Sequence, residues 1–217
     1  DFKQKFPANP RGDFIEGWYN IEEKDYPAAQ KSFELAAAAK NNPERQLAYS
    51  GLAQVYEIQE QPQKAVTSWQ MAIESDPGMT AAYGRWLAAM QKLNRQDAAL
   101  EFLRKLESDT SAWQPSLLLS QLELQNNQID KSIVHIEQAL TRSNEAANVK
   151  QIAARLYQTQ GVILRKDKKL AEARTSFLRA VKLFPENAGF LNNLIEVELS
   201  DNNIAEAQKL LDQFVKT

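Results

Sequence analysis

The sequence predicts an all-α fold, a right-handed α-α superhelix of about six helix pairs, and three observations predict it. An apolar stripe spaced i, i+4, i+7 recurs six times along the 217 residues, with a period near 34. A second apolar stripe precedes each occurrence, so every unit reads as two antiparallel helices. Small residues such as Gly17, Ala53 and Gly161 recur in matching register, as helices packed at close range require.

The anchor of each unit is the first residue of the downstream stripe: Ala29, Ala65, Ala99, Ser132, Ala173 and Ala207. Four residues on stand Phe33, Trp69, Leu103, Ile136, Phe177 and Leu211. Three further stand Ala36, Ala72, Leu106, Ala139, Ala180 and Phe214. The upstream helices carry their own stripes, for example Tyr157, Gly161 and Leu164, or Leu191, Leu194 and Ile195. Polar turns join the two helices at residues 24–26, 60–62 and 201–203. Pro77 and Pro185 close second helices, because the residue before proline resists helical geometry.

The tract Tyr49, Leu52, Ala53, Tyr56, Ala65, Trp69, Ala72, Pro77 resembles the tetratricopeptide repeat, whose 34-residue pattern places an aromatic, Leu, a small residue, Tyr, Ala, Phe and Pro at those offsets. Repeats 2 and 5 match closely. Repeat 1 lacks the early aromatic, repeats 3, 4 and 6 lack the closing proline, and repeat 4 has Ser132 in place of the anchor alanine. The expected divisions are a remnant of a preceding repeat at 1–9, then repeats at 10–43, 44–79, 80–113, 114–152 with an elbow insertion, 153–186 and 187–217. Phe2 and Pro7 fall where a preceding repeat would end, so the chain is expected to be a piece of a longer array, with apolar, self-associating ends near Phe2 and Phe214.

The step from Ser132 to Ala173 is seven residues longer than the period. Seven residues could lengthen two antiparallel helices by one turn each without rotating either face, making Thr141 to Arg155 a protruding elbow. The alanine-rich sequence, free of Gly and Pro, favours helix over a longer loop.

Composition bounds the function. Hydrophobic residues are 43% and charged residues 25% of a chain with net charge −2, an ordinary foldable balance. With no concentrated run of Lys or Arg, nucleic acid is not expected as a ligand. No apolar run reaches the roughly 20 residues of a membrane span. The chain has no cysteine, so it has neither disulfides nor thiolate sites. His135 has no second His to complete a metal site, and no metal or cofactor is expected. No nucleophile elbow or phosphate-cradling glycine loop occurs, and Glu22/Glu23 and Glu196/Glu198 read as solvated helix faces, so no enzyme is expected. Arg11 to Asp13 spell RGD at a helix start, read as coincidence. Arg165 to Lys169 end a helix, where positive charge meets the helix C-terminus favourably.

What remains is surface. The resemblance implies that the first helices line a concave groove that holds an extended peptide or partner helix. By register that stripe carries Phe14, Trp18, Gln54, Gln91, Gln121, Arg155, Gln158 and Arg165 as the candidate binding residues. It is rich in amides, and the Lys/Asn/Lys/Arg clamp that some family members use for a C-terminal carboxylate is not recognisable in it. The expected function is a non-catalytic scaffold for protein or peptide partners. The Ala/Gln/Asn-rich helices resemble bacterial arrays of cell-envelope assembly or exopolysaccharide export. Compartment stays open, with the bacterial periplasm or envelope ahead of the cytoplasm. The alternatives are a helical-repeat RNA binder and a regulatory domain of a larger enzyme.

Overall fold

The computed structural model describes residues 9–40 and 42–215, with side chains through Asp212. Phe2, Pro7 and the side chain of Phe214 lie outside the described residues. Among those described are twelve α-helices and no strand. In chain order they are α1 (Pro10–Glu22), α2 (Tyr26–Ala38), α3 (Arg45–Ile58), α4 (Pro62–Ser75), α5 (Thr80–Lys92), α6 (Gln96–Asp109), α7 (Gln114–Gln125), α8 (Ile129–Arg142), α9 (Ala147–Lys166), α10 (Leu170–Leu183), α11 (Ala188–Ser200) and α12 (Ile204–Val215). The chain forms two compact units, residues 1–114 and 115–217. Each is an array of helix hairpins.

The six hairpin turns share one geometry. A residue five before the anchor adopts a left-handed backbone in every turn: Lys24, Glu60, Asn94, Asn127, Lys168 and Asn202, with φ between 51° and 62° for these and for Asn144 and Glu145. The following amide donates back across the helix end, as Asp25 N to Asn20 O at 2.8 Å and Lys169 N to Leu164 O at 2.9 Å. This Schellman closure satisfies the last carbonyls of each first helix. Asn tolerates the left-handed region, and Lys and Glu hold it at a cost. Local caps add to this: Asp25 Oδ1 accepts from Ala28 N at 3.1 Å at the start of α2, and Asn187 Oδ1 from Phe190 N at the start of α11.

In three hairpins close packing accompanies a small residue at one position. The residue twelve before the anchor is Gly17, Ala53 and Gly161 in the pairs α1–α2, α3–α4 and α9–α10, whose backbones run close along their length. In α5–α6 that position is Leu87, the Trp86 and Phe102 rings stand 5.0 Å apart between the helices, and the backbones approach at only a few places. The α7–α8 pair has Ser120 there, and its hydroxyl meets that of the anchor Ser132 at 3.0 Å, while Ser132 Oγ donates to Ser120 O. The serine at the anchor is thus paired with a serine opposite, which satisfies both buried hydroxyls.

The glycines make room for rings. A Cβ added at Gly17 would stand 2.7 Å from Phe33 Cε1, one at Gly51 2.5 Å from the same atom, and one at Gly161 2.6 Å from Phe177 Cε1. Phe33 therefore sits between Gly17 of its own hairpin and Gly51 of the next. Sequence spacing predicts glycine for helix approach and the aromatic for filling between units; in the structure the two occupy one contact. The anchor stripe is buried in the first five hairpins, but Leu211 of the sixth is 43% exposed, beside exposed Leu199 and Ile204.

Two expectations are corrected. The seven extra residues do not lengthen two helices: α8 keeps 14 residues, and α9 takes the whole insertion to reach 20. The turn before it stays short because Asn144 and Glu145 are both left-handed, and Ser143 Oγ accepts from Ala146 N. Glu198 is not a solvated face residue. It is buried on α11 and held by Arg174 of α10, whose Nε and Nη2 each donate at 2.7 Å, and by Asn203 Nδ2 at 2.8 Å. A fork-to-carboxylate pair of this kind is both strong and geometrically demanding.

The ring contacts predict opposite effects at two glycines. Gly161→Leu should lower the urea midpoint by an amount equivalent to about 1–3 kcal/mol or more, through overpacking against Phe177. Gly84 lies exposed in mid-α5 with nothing near a built Cβ. Gly84→Ala should raise stability by about 0.5–1 kcal/mol through helix propensity. An unchanged midpoint for Gly161→Leu would show that the ring contact is not tight.

Candidate functional site

The first helices carry the expected binding residues on faces that differ between the units. In the first unit, Phe14 and Trp18 pack edge-on to Phe33, with ring centroids 6.1 and 5.4 Å away, and both are half-buried. Gln54 is half-buried on α3, and Gln91 is exposed on α5. Near them Glu57 forms a node: Trp69 Nε1 donates to its Oε1 at 2.8 Å, and Arg85 Nη1 lies 3.6 Å from its Oε2 while the guanidinium stacks 5.7 Å from the Trp69 ring.

In the second unit the structure brings Gln121 and Arg155 together. They line a cleft of about 240 Å³ between α7 and α9, floored by Leu124, Ile152 and Leu156. Gln158 is half-buried on the same helix but does not line this cleft. Ile152 and Leu156 are absent from the register-derived stripe. Their i, i+4 spacing is readable in the sequence, but counting from the period rather than from the longer α9 passes them over.

The arginines of the second unit separate into used and unused. Arg165 forms an ion pair with Glu196, which also accepts from Asn192 Nδ2 at 2.8 Å. Arg174 is tied to Glu198 and Asp201, and Arg179 to Glu137 at 2.6 Å. The Arg155 guanidinium makes no ion pair or hydrogen bond among the described residues. Nor do the side-chain amides of Gln54, Gln91, Gln121 and Gln158, each able to donate and accept. Arg155 is the cation that lines this cleft, and it is still available to a carboxylate.

Architecturally, arrays of antiparallel helix hairpins joined by turns of one repeated geometry form the helical-repeat class of proteins. The family model for the tetratricopeptide repeat matches residues 16–80 and 159–216, more than half of the chain. The chain belongs to the tetratricopeptide repeat family, whose members serve as protein-interaction scaffolds and are generally non-catalytic. Similar solved structures include the MamA protein, at 18% identity and TM-score 0.48 over 83% of this chain and 94% of that one. A tetratricopeptide repeat protein of Parabacteroides merdae aligns at 13% identity and TM-score 0.48, over 95% and 79%. YrrB, described as a TPR protein with an unusual peptide-binding site, aligns at 12% identity and TM-score 0.46, over 88% and 94%. No curated protein matches the chain significantly. Among the described residues no helix is long and apolar enough to cross a membrane.

The Arg165–Glu196 pair has a measurable signature. The hydrogen bond from Arg165 holds the Glu196 carboxyl below its usual 4.5 against the opposing effect of burial. A carboxylate with a lowered folded pKa stabilises fully above its unfolded value and loses that contribution as pH falls through the folded one. An NMR titration of the Glu196 side-chain carboxyl carbon should therefore show a midpoint below 4.5. A midpoint at or above 4.5 would show Arg165 to be free in solution.

Proposed function

We propose that the chain is a scaffold that holds extended segments of partner proteins against its first helices, without catalysis, in the assembly or export of a bacterial cell-envelope component. The observation that carries the binding reading is the combination at α7–α9 of an apolar cleft with an uncommitted guanidinium, that of Arg155, and an uncommitted amide, that of Gln121. Amides accept from and donate to any peptide backbone, which gives sequence-tolerant binding, while Arg155 favours an acidic side chain or carboxylate. Arg165 is the weaker candidate for that role because Glu196 already answers its charge. RNA is disfavoured for a related reason, since Arg165, Arg174 and Arg179 are each paired with a carboxylate and the sequence has no long run of Lys or Arg to meet phosphate.

The envelope placement is supported by composition, namely helices rich in Ala, Gln and Asn in a chain without cysteine. The complete reading frame tests it: a secretion leader agrees, and an appended catalytic domain would point to a regulatory role instead. Self-association belongs to the same proposal, supported by the exposed Leu199, Ile204 and Leu211 at α11–α12.

Binding is tested with an array of acid-containing 12-residue peptides and the variant Gln121→Glu, Arg155→Glu. Peptides that bind the wild type should lose on the order of 10- to 100-fold in affinity, the worth of a charge-assisted contact, while circular dichroism shows unchanged helicity. Wild-type affinity in the folded variant would exclude the α7–α9 cleft as the site.

A further inference from the structure

At two junctions between hairpins, a large apolar residue three before one anchor joins the same core cluster as a valine ten before the next. Tyr26 packs with the cluster containing Val55, and Leu170 with the cluster containing Val197. At the junction of α3–α4 with α5 the corresponding residues are Pro62 and Ala89. There a cleft of about 660 Å³ opens, floored by Pro62, Ala65, Ala88 and Ala89. By register the cleft lies where those two junctions place a large apolar side chain and a valine in one core cluster, and here the equivalent positions are proline and alanine.

We infer that this cleft receives a large apolar side chain, aromatic or leucine, from an extended partner segment in which that residue is flanked by one basic and one acidic residue. The internal occupants Tyr26 and Leu170 set the size and character of the central side chain. Charge sets the flanks. Of the rim residues, Glu57 is engaged by Trp69 and Arg85, whereas Glu60 and Lys92 make no ion pair among the described residues. They stand on different elements, Glu60 on the α3–α4 turn and Lys92 in the last turn of α5, so a segment crossing the cleft meets an acid on one bank and a base on the other. Apolar burial supplies the affinity, and opposite charges on the rim set the direction of the segment. The inference rests on the peptide-scaffold reading and adds to it an address in the first unit and a three-residue chemistry.

The test titrates the full ¹⁵N-labelled chain with two synthetic heptapeptides, blocked at both ends, of sequence Gly-Ser-Lys-Phe-Glu-Ser-Gly and Gly-Ser-Glu-Phe-Lys-Ser-Gly. One of them should shift the amide signals of Ala65, Ala88, Ala89 and Lys92. Replacing its phenylalanine by alanine should weaken binding at least about tenfold, the consequence of losing the buried ring. The variant Ala89→Val, which places there the residue found at those two junctions, should fold normally and weaken binding by a similar factor. Shifts confined to α7 and α9 would leave the peptide-scaffold reading standing and overturn this one. Absence of shifts at about 5 mM peptide, a concentration above weak Kd values, or unchanged binding by Ala89→Val, would overturn it as well.

Discussion

The contact on which the hairpin arrays depend is an aromatic ring seated on a glycine of a neighbouring helix. Phe33 lies between Gly17 and Gly51, and Phe177 lies on Gly161, each where a methyl group would collide with the ring. The glycines cost roughly 1 kcal/mol each in helix propensity, which the buried ring offsets. The contact also sets spacing. Where Leu87 takes the small residue's place, the Trp86 and Phe102 rings stand between the helices and the backbones approach at few places, whereas α11–α12 stays in contact with Ile195 there. Six turns of one left-handed geometry reverse the chain between the two helices of every pair.

This construction divides the surface by use. Anchors and ring positions of the first five second helices are buried, and much of the charge beside them is paired, as in the grip of Arg174 on Glu198. In each unit the first helices carry groups that no described residue answers: two glutamine amides apiece, Arg155 in the second unit, and one cleft lined in part by apolar side chains. A binding face needs apolar floor for affinity and unsatisfied polar groups for orientation. Both clefts have them, in different proportions.

The fold was legible because period and stripe are properties of single helices. Six anchors in register, with a large apolar residue four later, place α2, α4, α6, α8, α10 and α12 from sequence alone. What depended on partners distant in sequence was not legible. Seven residues are two turns of helix, and they preserve phase equally well when split between two helices or placed in one, so the sequence does not distinguish a paired elbow from the 20-residue α9. Glu198 looks solvated until Arg174, 24 residues earlier, reaches it from another helix. The left-handed turns carry no glycine to announce them, only Asn, Lys and Glu. At the candidate site, Gln121 and Arg155 were found by register, whereas the floor residues Ile152 and Leu156 depend on where α9 begins.

The central claim, that the unanswered amides of the first helices are the groups that meet a partner backbone, is most directly tested by isotope-filtered NOE measurements on the side-chain NH₂ protons of Gln54, Gln91, Gln121 and Gln158. In the free chain these protons should show exchange with water and no hydrogen-bonded partner. With a bound unlabelled peptide, the amides of at least one unit should gain intermolecular NOEs to peptide backbone protons. A peptide that binds while all four NH₂ groups stay unchanged, with its NOEs falling on the second helices instead, would contradict the account.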